Sequence, residues 1–253
     1  MRALQNDWFA ITPYRTNYIL PVTVRKSPDY SAYSFLGAEA QGLENTEAKF
    51  QLSVQTLLWP EFSSSRISLW GAFTLQSYWQ AYASDVSAPL RESNYEPELI
   101  AVMPMSTTVG GIRIRDLQLS LNHQSNGRTE PLSRSWNRVI GRVTFEKGNF
   151  AGYSKLWWRI PDTGEDDNPH IERYMGQAEF GLAYRWREHT FAGILRNNLR
   201  ADNKSGLQLD WSFPLFSHLK GYVQAYTGYA ENLIDGDRYN NRVGVGLMLT
   251  DWF

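Results

Sequence analysis

Cysteine is absent from the 253 residues of the chain, so neither a disulfide framework nor thiol chemistry contributes to the fold or function. No stretch approaches the roughly 18 consecutive apolar residues of a transmembrane helix, which excludes a helical membrane protein. The net charge is only −1, and nothing therefore suggests electrostatic binding of nucleic acid. No apolar run opens the chain, so an exported protein of this sequence is expected to be a mature or engineered form.

Aromatic residues, in contrast, are abundant. They make up 14% of the chain and include 10 Trp and 14 Tyr, which is more than a small core needs. Their amphipathic rings suit a membrane–water interface, where one end of the ring stays hydrated. Mean hydropathy is −0.45, so composition alone leaves a soluble globular protein open as the other interpretation.

Apolar and polar residues alternate with a period of two in many short segments. Clear examples are residues 50–58, 69–79, 207–213 and 243–253. This period indicates β-strands that have one apolar face and one polar face. About twelve such segments are counted, and they begin near Tyr14, Lys49, Ile67, Tyr95, Ile112, Arg134, Phe150, Ile171, Thr190, Leu207, Leu219 and Asn240.

The number of strands and the lengths of the links between them predict the fold. Twelve strands with one polar face each fit an all-β, antiparallel transmembrane barrel with a polar interior, although a soluble sandwich of two sheets would also alternate. Short links such as 107–111 and 146–149 alternate with long polar links such as 25–48 and 124–133, and this favours the barrel. Short turns are typically periplasmic, and the longer loops are then extracellular.

Nothing in the sequence divides the chain into parts. It contains no internal repeat, proline-rich linker or low-complexity tract. We therefore predict a single outer-membrane barrel domain over residues 1–253, with residues 1–13 as an N-terminal extension on the periplasmic side.

Charged residues of both signs fall on the face that would line the barrel. One interpretation is an ion channel with a selectivity lining, and the other is a lumen filled by paired charges and hydrogen bonds. The number of long side chains of both signs favours the filled lumen. These residues are Glu98, Arg138, Arg142, Lys155, Arg159, Glu179, Arg185, Asp210 and Lys220.

Three polar residues interrupt the lipid-facing side of one predicted hairpin. His123 and Ser125 share the odd parity of the leucines that precede them on their strand, and Asn137 has the parity of the apolar residues that follow it. Antiparallel partners lie directly across the ladder, so the three side chains are expected to be neighbours. The leucines are Leu117, Leu119 and Leu121, and the apolar residues of the second strand are Val139, Val143 and Phe145.

This placement points to catalysis. A polar group that faces hydrocarbon must find a partner, so the position is costly for a residue with only a structural role. A serine, a histidine and an amide supply a nucleophile, a general base and a group that orients the base. The other interpretation is chance, because a histidine and a serine two residues apart on a strand are common.

Several long motifs carry a resemblance to a known family. The run Asn122-His123-Gln124-Ser125-Asn126-Gly127-Arg128 is followed by Ser133-Arg134-Ser135-Trp136-Asn137-Arg138. Further matching runs are residues 13–18, 91–97, 166–169, 174–176 and 242–246. Together they closely resemble bacterial outer-membrane phospholipase A over nearly the whole chain. The C-terminal Phe253 also resembles the terminal aromatic residue that such barrels present to their assembly machinery.

The resemblance implies a twelve-stranded barrel in the outer membrane of a Gram-negative bacterium, with its active site at the extracellular leaflet. It implies calcium-dependent hydrolysis of phospholipid acyl esters at the first or second position, lysophospholipids included. His123, Ser125 and Asn137 fall on the family's catalytic positions, and Gly127 falls where a backbone N–H helps to stabilise the oxyanion. The alternative class of function is a non-enzymatic channel or structural barrel.

The resemblance also implies a Ca²⁺ site that forms between the two subunits of an active homodimer. Its ligands correspond to the backbone carbonyl of Arg128, the side chain of Ser133 and a backbone carbonyl at Ser87 of the partner subunit. A possible second metal site corresponds to Glu130 and Asp167, where the family pattern has two aspartates.

One departure concerns the dimer contact. The family pattern leads us to expect a membrane-embedded glutamine there, and this chain has Leu75.

Overall fold

A computed structural model of the chain describes residues 9–26, 28–36, 42–61, 66–87, 89–164, 166–216 and 219–252. It contains twelve long strands, which we number in chain order. They are β1 (Asn17–Arg25), β2 (Thr46–Trp59), β3 (Ser68–Trp79), β4 (Leu90–Pro104), β5 (Ile112–Ser125), β6 (Ser135–Lys147), β7 (Phe150–Ile160), β8 (Ala178–Trp186), β9 (His189–Asn197), β10 (Ser205–Phe216), β11 (Leu219–Gly228) and β12 (Asn240–Thr250).

The strands form one closed ring. Each strand pairs antiparallel with the next along the chain, and β12 pairs with β1, so that no edge is left open. The predicted twelve-stranded antiparallel barrel is therefore confirmed, and a two-sheet sandwich is excluded. Closure pairs the backbone groups of every strand on both sides, which a sheet needs if it is to lie in hydrocarbon. No helix among the described residues is long and apolar enough to cross a membrane.

Several predicted strand starts differ from the structure, since β4 begins at Leu90 rather than near Tyr95 and β2 at Thr46 rather than near Lys49. The segment expected near Ile171 begins instead with a short helix, α1 (Ile171–Met175), and strand β8 starts at Ala178. Ile171 and Met175 lie one helical turn apart, and both are buried against Trp157 and Leu233. They form the inward face of a short helix, and in the sequence these apolar residues resemble the start of a strand.

The first predicted strand starts near Tyr14, but β1 begins at Asn17. Before that point Thr12 and Pro13 pair with β2, and then Tyr14 and Arg15 turn into the lumen towards the carboxylates of β4. Residues 1–8 of the predicted N-terminal extension, and Phe253, lie outside the described residues.

The two rims of the barrel differ as the link lengths predicted. The short-turn rim carries links such as 148–149 and 187–188, whereas the long-loop rim carries links such as 126–134, 161–177 and 229–239. On the outer face leucines such as Leu119, which is 60% exposed, stand in rows. The inner face is polar and mostly buried, which is the arrangement of a barrel surrounded by lipid.

The half of the lumen next to the long-loop rim is filled. Arg91 forms ion pairs with Glu47 at 2.8 Å and with Asp235 at 2.7 Å, and Arg242 pairs with Glu231 at 2.7 Å. The other half is a vestibule, a cavity of about 1580 Å³ that lies at the short-turn rim. The paired-charge interpretation of the lumen therefore holds for the long-loop half, while residues such as Arg142, Lys155 and Lys220 line the vestibule.

Candidate active site

The three predicted catalytic residues lie at the long-loop end of the β5–β6 hairpin. His123 and Asn137 are directly opposed across the ladder, and Ser125 follows two residues later on the same face of β5. The leucines that precede them, Leu119 and Leu121, are 60% and 55% exposed, so this face is the outside of the barrel. Parity therefore predicted the direction of these side chains correctly.

His123 is held by an amide. Its Nδ1 lies 2.9 Å from Oδ1 of Asn137, and both side chains are half-buried. An amide oxygen only accepts hydrogen bonds, so Nδ1 carries the proton and donates it. The lone pair of His123 is then on Nε2, where it is available to accept a proton from a hydroxyl group.

Ser125 lies beside this pair at the end of β5. Its cross-strand partners are Tyr95 on β4 and Ser135 on β6, and it is half-buried on the outer face. Within the described part of the chain no hydrogen bond joins Ser125 to His123. In an apo site such bonds are commonly long, and they tighten when substrate binds.

Gly127 follows Ser125 at a turn that requires glycine. Its φ is +64°, and a Cβ atom there would come within 3.1 Å of the Tyr95 ring. The absence of a side chain thus lets the backbone of Gly127, with its N–H, lie close to Tyr95 and Ser125.

The side chain of Asn126, which sequence reasoning missed, fixes the loop after Ser125. It is buried, and its Oδ1 accepts hydrogen bonds from the backbone N–H groups of Arg128 and Arg134 at 3.3 and 3.0 Å. Its Nδ2 donates to the carbonyl of Leu132 at 2.8 Å. Asparagine favours local bonds of this kind, so the Asn126–Gly127 pair is the sequence signal that could have indicated this loop anchor.

Arg128 connects this loop to the start of β4. Its guanidinium group donates to the carbonyls of Leu90 and Arg91 at 2.7 and 2.8 Å. Ser87, in the link that precedes β4, is exposed and has a left-handed backbone with a φ of 60°. Two segments predicted to supply calcium ligands therefore emerge at the same rim of the barrel.

Ser133 and Asp167 are in contact. The Ser133 hydroxyl donates to the Asp167 carboxylate at 2.5 Å. Hydrogen bonds from Arg159 and from the Asn168 backbone brace the neighbouring residue, Asp166. Burial alone would raise the pKa of Asp166, but these hydrogen bonds lower it below its ordinary value and keep the carboxylate ionised.

The possible second metal site is not assembled by side-chain contacts. Glu130 is exposed, and no described contact joins it to Asp167, which meets Ser133 instead. No group of three or more His, Cys, Asp or Glu side chains among the described residues could hold a metal ion. A cation at this rim would therefore depend on carbonyl and hydroxyl oxygens as well as on a carboxylate.

Those oxygens are present. In the described ranges, no hydrogen bond is donated to the carbonyl of Arg128 or to that of Ser87. Ser133 adds a hydroxyl oxygen, and Asp167 adds a carboxylate next to it. Carbonyl, hydroxyl and carboxylate oxygens are the ligands that Ca²⁺ prefers, so the residues present fit this ion.

Leu75 lies on the same outer surface as the candidate catalytic residues His123 and Ser125. It is half-buried on β3, where its cross-strand partners are Leu52 and Tyr95, and Tyr95 in turn pairs with Ser125. The residue that replaces the expected glutamine is therefore two strands away from the candidate nucleophile.

The sequence and the fold of the chain are similar to those of known proteins. The chain matches the family model of phospholipase A1 over residues 1–249. Phospholipase A1 of Klebsiella pneumoniae is 37% identical over 245 residues, which are 97% of this chain and 84% of that protein.

Two solved structures are similar along nearly their full length. One is the outer membrane phospholipase A of Escherichia coli, as an active-site mutant with an asparagine changed to alanine, at a TM-score of 0.93 and 34% identity over 99% of this chain and 97% of that chain. The other is the outer membrane phospholipase dimer of Salmonella typhi with bound calcium, at a TM-score of 0.93 and 35% identity over 99% of this chain and 96% of that chain. The chain therefore belongs to the phospholipase A1 family.

Proposed function

We propose that the chain hydrolyses the acyl esters of membrane phospholipids, lysophospholipids included, in the outer membrane of a Gram-negative bacterium. The observation that carries this proposal is the 2.9 Å hydrogen bond between His123 and Asn137 beside Ser125 on the lipid-facing side of the barrel. An asparagine in the active site of the E. coli relative also supports it. The residues lie near the long-loop rim, and the long loops of such barrels are typically extracellular, which supports a site at the extracellular leaflet.

The roles of the three residues follow from their order in space. Ser125 Oγ attacks the acyl carbonyl while His123 Nε2 takes its proton, and Asn137 keeps the imidazole in the tautomer that can do so. The ester C–O bond then breaks, and the proton passes from His123 to the departing alcohol. Water, deprotonated by the same imidazole, releases the fatty acid and restores Ser125.

The tetrahedral intermediate places a negative charge next to lipid. The backbone N–H of Gly127 is the donor assigned to this oxyanion, and the left-handed turn at Gly127 lies close to Ser125. Removing one such donor in other hydrolases costs about 3–4 kcal/mol of transition-state stabilisation. Calcium held by the carbonyl of Arg128 and the hydroxyl of Ser133 would supply positive charge that stabilises the oxyanion.

We place the active calcium site between two subunits. One subunit offers the Arg128 carbonyl and the Ser133 hydroxyl, and Ser87 of the partner subunit offers a carbonyl. A single chain supplies few oxygens for an ion that takes six or more, and the S. typhi relative is a dimer with bound calcium. A second calcium site at Glu130 and Asp167 would form only when the bound ion brings the two side chains together.

The proposed activity is tested by fatty-acid release. The purified protein is expected to release fatty acid from diacyl phospholipid and from lysophospholipid in detergent micelles with calcium. It should release none from the dialkyl ether analogue, which lacks a carbonyl carbon. Failure to hydrolyse the diacyl lipid, together with ion conductance in planar bilayers, would instead favour the channel as the function.

Calcium is expected to drive dimerisation, because a site shared by two subunits binds the ion better in the dimer than in the monomer. Crosslinking in micelles should give dimer with calcium and monomer with chelator. Ser133→Ala should weaken calcium binding and dimerisation together, since it removes a ligand. Ser154→Ala, a half-buried serine on the outer face of β7, is the matched control and should change neither. Full activity from a calcium-free monomer would contradict the shared site.

A further inference from the structure

The vestibule at the short-turn rim has no part in the proposed hydrolysis. It is a cavity of about 1580 Å³ inside the barrel, whereas His123 and Ser125 lie on the outside. Its lining includes Arg15, Arg142 and Lys155 together with the aromatic rings of Tyr153 and Trp252. Water and small solutes can enter it from the short-turn side.

The inward-facing charges at and below the floor of this cavity do not balance. Each cation adds one positive charge and each carboxylate one negative charge, so five cations against four carboxylates leave a net charge of +1. The cations are Arg15, Arg138, Arg142, Lys155 and Arg196, and the carboxylates are Glu96, Glu98, Asp116 and Glu179. The four further charged residues of the described lining, Arg115, Glu188, Lys220 and Asp251, sum to zero. Excess charge inside a protein is costly unless an opposite charge accompanies it.

Glu96 and Glu98, the two carboxylates of this set that lie on β4, are already engaged by cations other than Arg142. Glu96 binds Arg15 at 2.7 Å and Arg138 at 3.1 Å. Glu98 lies 3.4 Å from Arg15 and also accepts a hydrogen bond from Ser120 at 2.7 Å.

The other two carboxylates are engaged as well. Glu179 binds Lys155 at 3.1 Å and Arg196 at 2.8 Å. Asp116 accepts hydrogen bonds from Gln118 at 2.8 Å and Thr144 at 2.6 Å. Among the described residues, none of these four carboxylates forms an ion pair with Arg142.

Arg142 has no carboxylate partner in the part of the chain that the structure describes. Its Nε is buried and has no hydrogen-bond partner there. Its guanidinium group lies over the Tyr153 ring at 4.5 Å, and Lys155 is its cross-strand neighbour. A guanidinium group held beside another cation, with a buried N–H that has no acceptor, lacks a counter-charge.

A second unpartnered donor lies against the same tyrosine. The Trp252 ring stacks on Tyr153 with centroids 5.6 Å apart, and its buried Nε1–H has no partner among the described residues. Two buried N–H donors from different parts of the chain thus lie against one ring, and neither has an acceptor among the described residues.

We propose that the vestibule binds one small oxyanion of the phosphate or sulfate class beside Tyr153, held by the guanidinium group of Arg142. The forked guanidinium group matches the oxygens of a tetrahedral oxyanion and can bind two of them at once. The bound anion neutralises the excess charge of the lumen. The site is distinct from the lipid-facing residues, so it does not depend on the proposed hydrolysis.

Titration calorimetry with inorganic phosphate tests the site directly. The full-length protein is used in an uncharged maltoside detergent, so that no headgroup phosphate competes. One phosphate is expected to bind per chain, with chloride at matched ionic strength binding far more weakly. Arg142→Gln should weaken phosphate binding at least about tenfold, because it removes a charged hydrogen-bond donor. Phosphate should raise the Tm of the wild type and leave that of Arg142→Gln unchanged.

Asp116→Asn is expected to have the opposite effect on phosphate binding. It removes the negative charge that shares the inner face with Arg142, so it should bind phosphate more tightly than the wild type. If Arg142→Gln does not fold, phosphate binding by Asp116→Asn tests the proposal instead. Binding equal to or weaker than that of the wild type would then overturn the proposal. The absence of saturable binding, equal affinity in Arg142→Gln, or equal binding of chloride would overturn it as well.

Discussion

Replacing Ser125 or His123 by alanine is expected to reduce phospholipid hydrolysis by about 10³-fold or more, because nucleophile and base act as a unit. Without Ser125 there is no oxygen to form the acyl-enzyme, and without His123 no group takes the serine proton. For the same reason the double variant should lose no more activity than either single variant. Initial rates of fatty-acid release in micelles measure these losses.

The loss of activity in Asn137→Ala should be smaller than in the Ser125 and His123 variants by roughly one to two orders of magnitude, since this change removes only the group that orients His123. The nucleophile and base remain, and the imidazole then spends part of its time in an unproductive tautomer or rotamer. Ser154→Ala, the outer-face serine used above as a control, should retain wild-type activity. Wild-type activity in Ser125→Ala would contradict the assignment of the nucleophile.

The second large effect concerns the filled half of the lumen. Glu47→Gln is expected to lower the free energy of unfolding by about 3–5 kcal/mol, because it breaks a buried ion pair and leaves cations without a counter-charge. Glu47 is fully buried and lies 2.8 Å from Nε of Arg91 and 2.7 Å from Nη2 of Arg242. Chemical denaturation in detergent micelles measures the loss.

Glu146→Gln is the matched control for this change. Glu146 also lies between two arginines, Arg113 at 3.1 Å and Arg115 at 3.0 Å, but those side chains are 62% and 54% exposed. Water and salt screen such pairs, so the expected loss is below about 1 kcal/mol. Equal losses of unfolding free energy in the two variants would show that the buried ion pairs of Glu47 do not hold the loops in the lumen.

The barrel and the direction of the candidate catalytic side chains were predictable from sequence because both follow from a local rule. A strand between lipid and a polar lumen must alternate with a period of two, and this period placed His123, Ser125 and Asn137 on the outside without any knowledge of the fold. The hydrogen bond between His123 and Asn137 then follows from the pairing of neighbouring strands.

The loops and the lumen were not predictable in the same way. Arg91 binds Asp235 across 144 residues of sequence, and Arg128 binds the carbonyls of a strand 37 and 38 residues away. No periodicity encodes such contacts, because they depend on how loops fold back into a closed ring. The short helix α1 was missed for a related reason, since Ile171 and Met175 are apolar to suit a core built from distant segments.

The sharpest test of the central claim, that a serine on the outside of the barrel is the nucleophile, is covalent labelling with a long-chain sulfonyl fluoride. Attack by Ser125 Oγ displaces fluoride, His123 takes the proton, and the sulfonyl group stays on the serine. Mass spectrometry of the digested protein is predicted to find one sulfonyl group, on the peptide that contains Ser125, and none in His123→Ala. A label on another residue, or an unlabelled Ser125 in protein whose hydrolysis the reagent has abolished, would contradict the account.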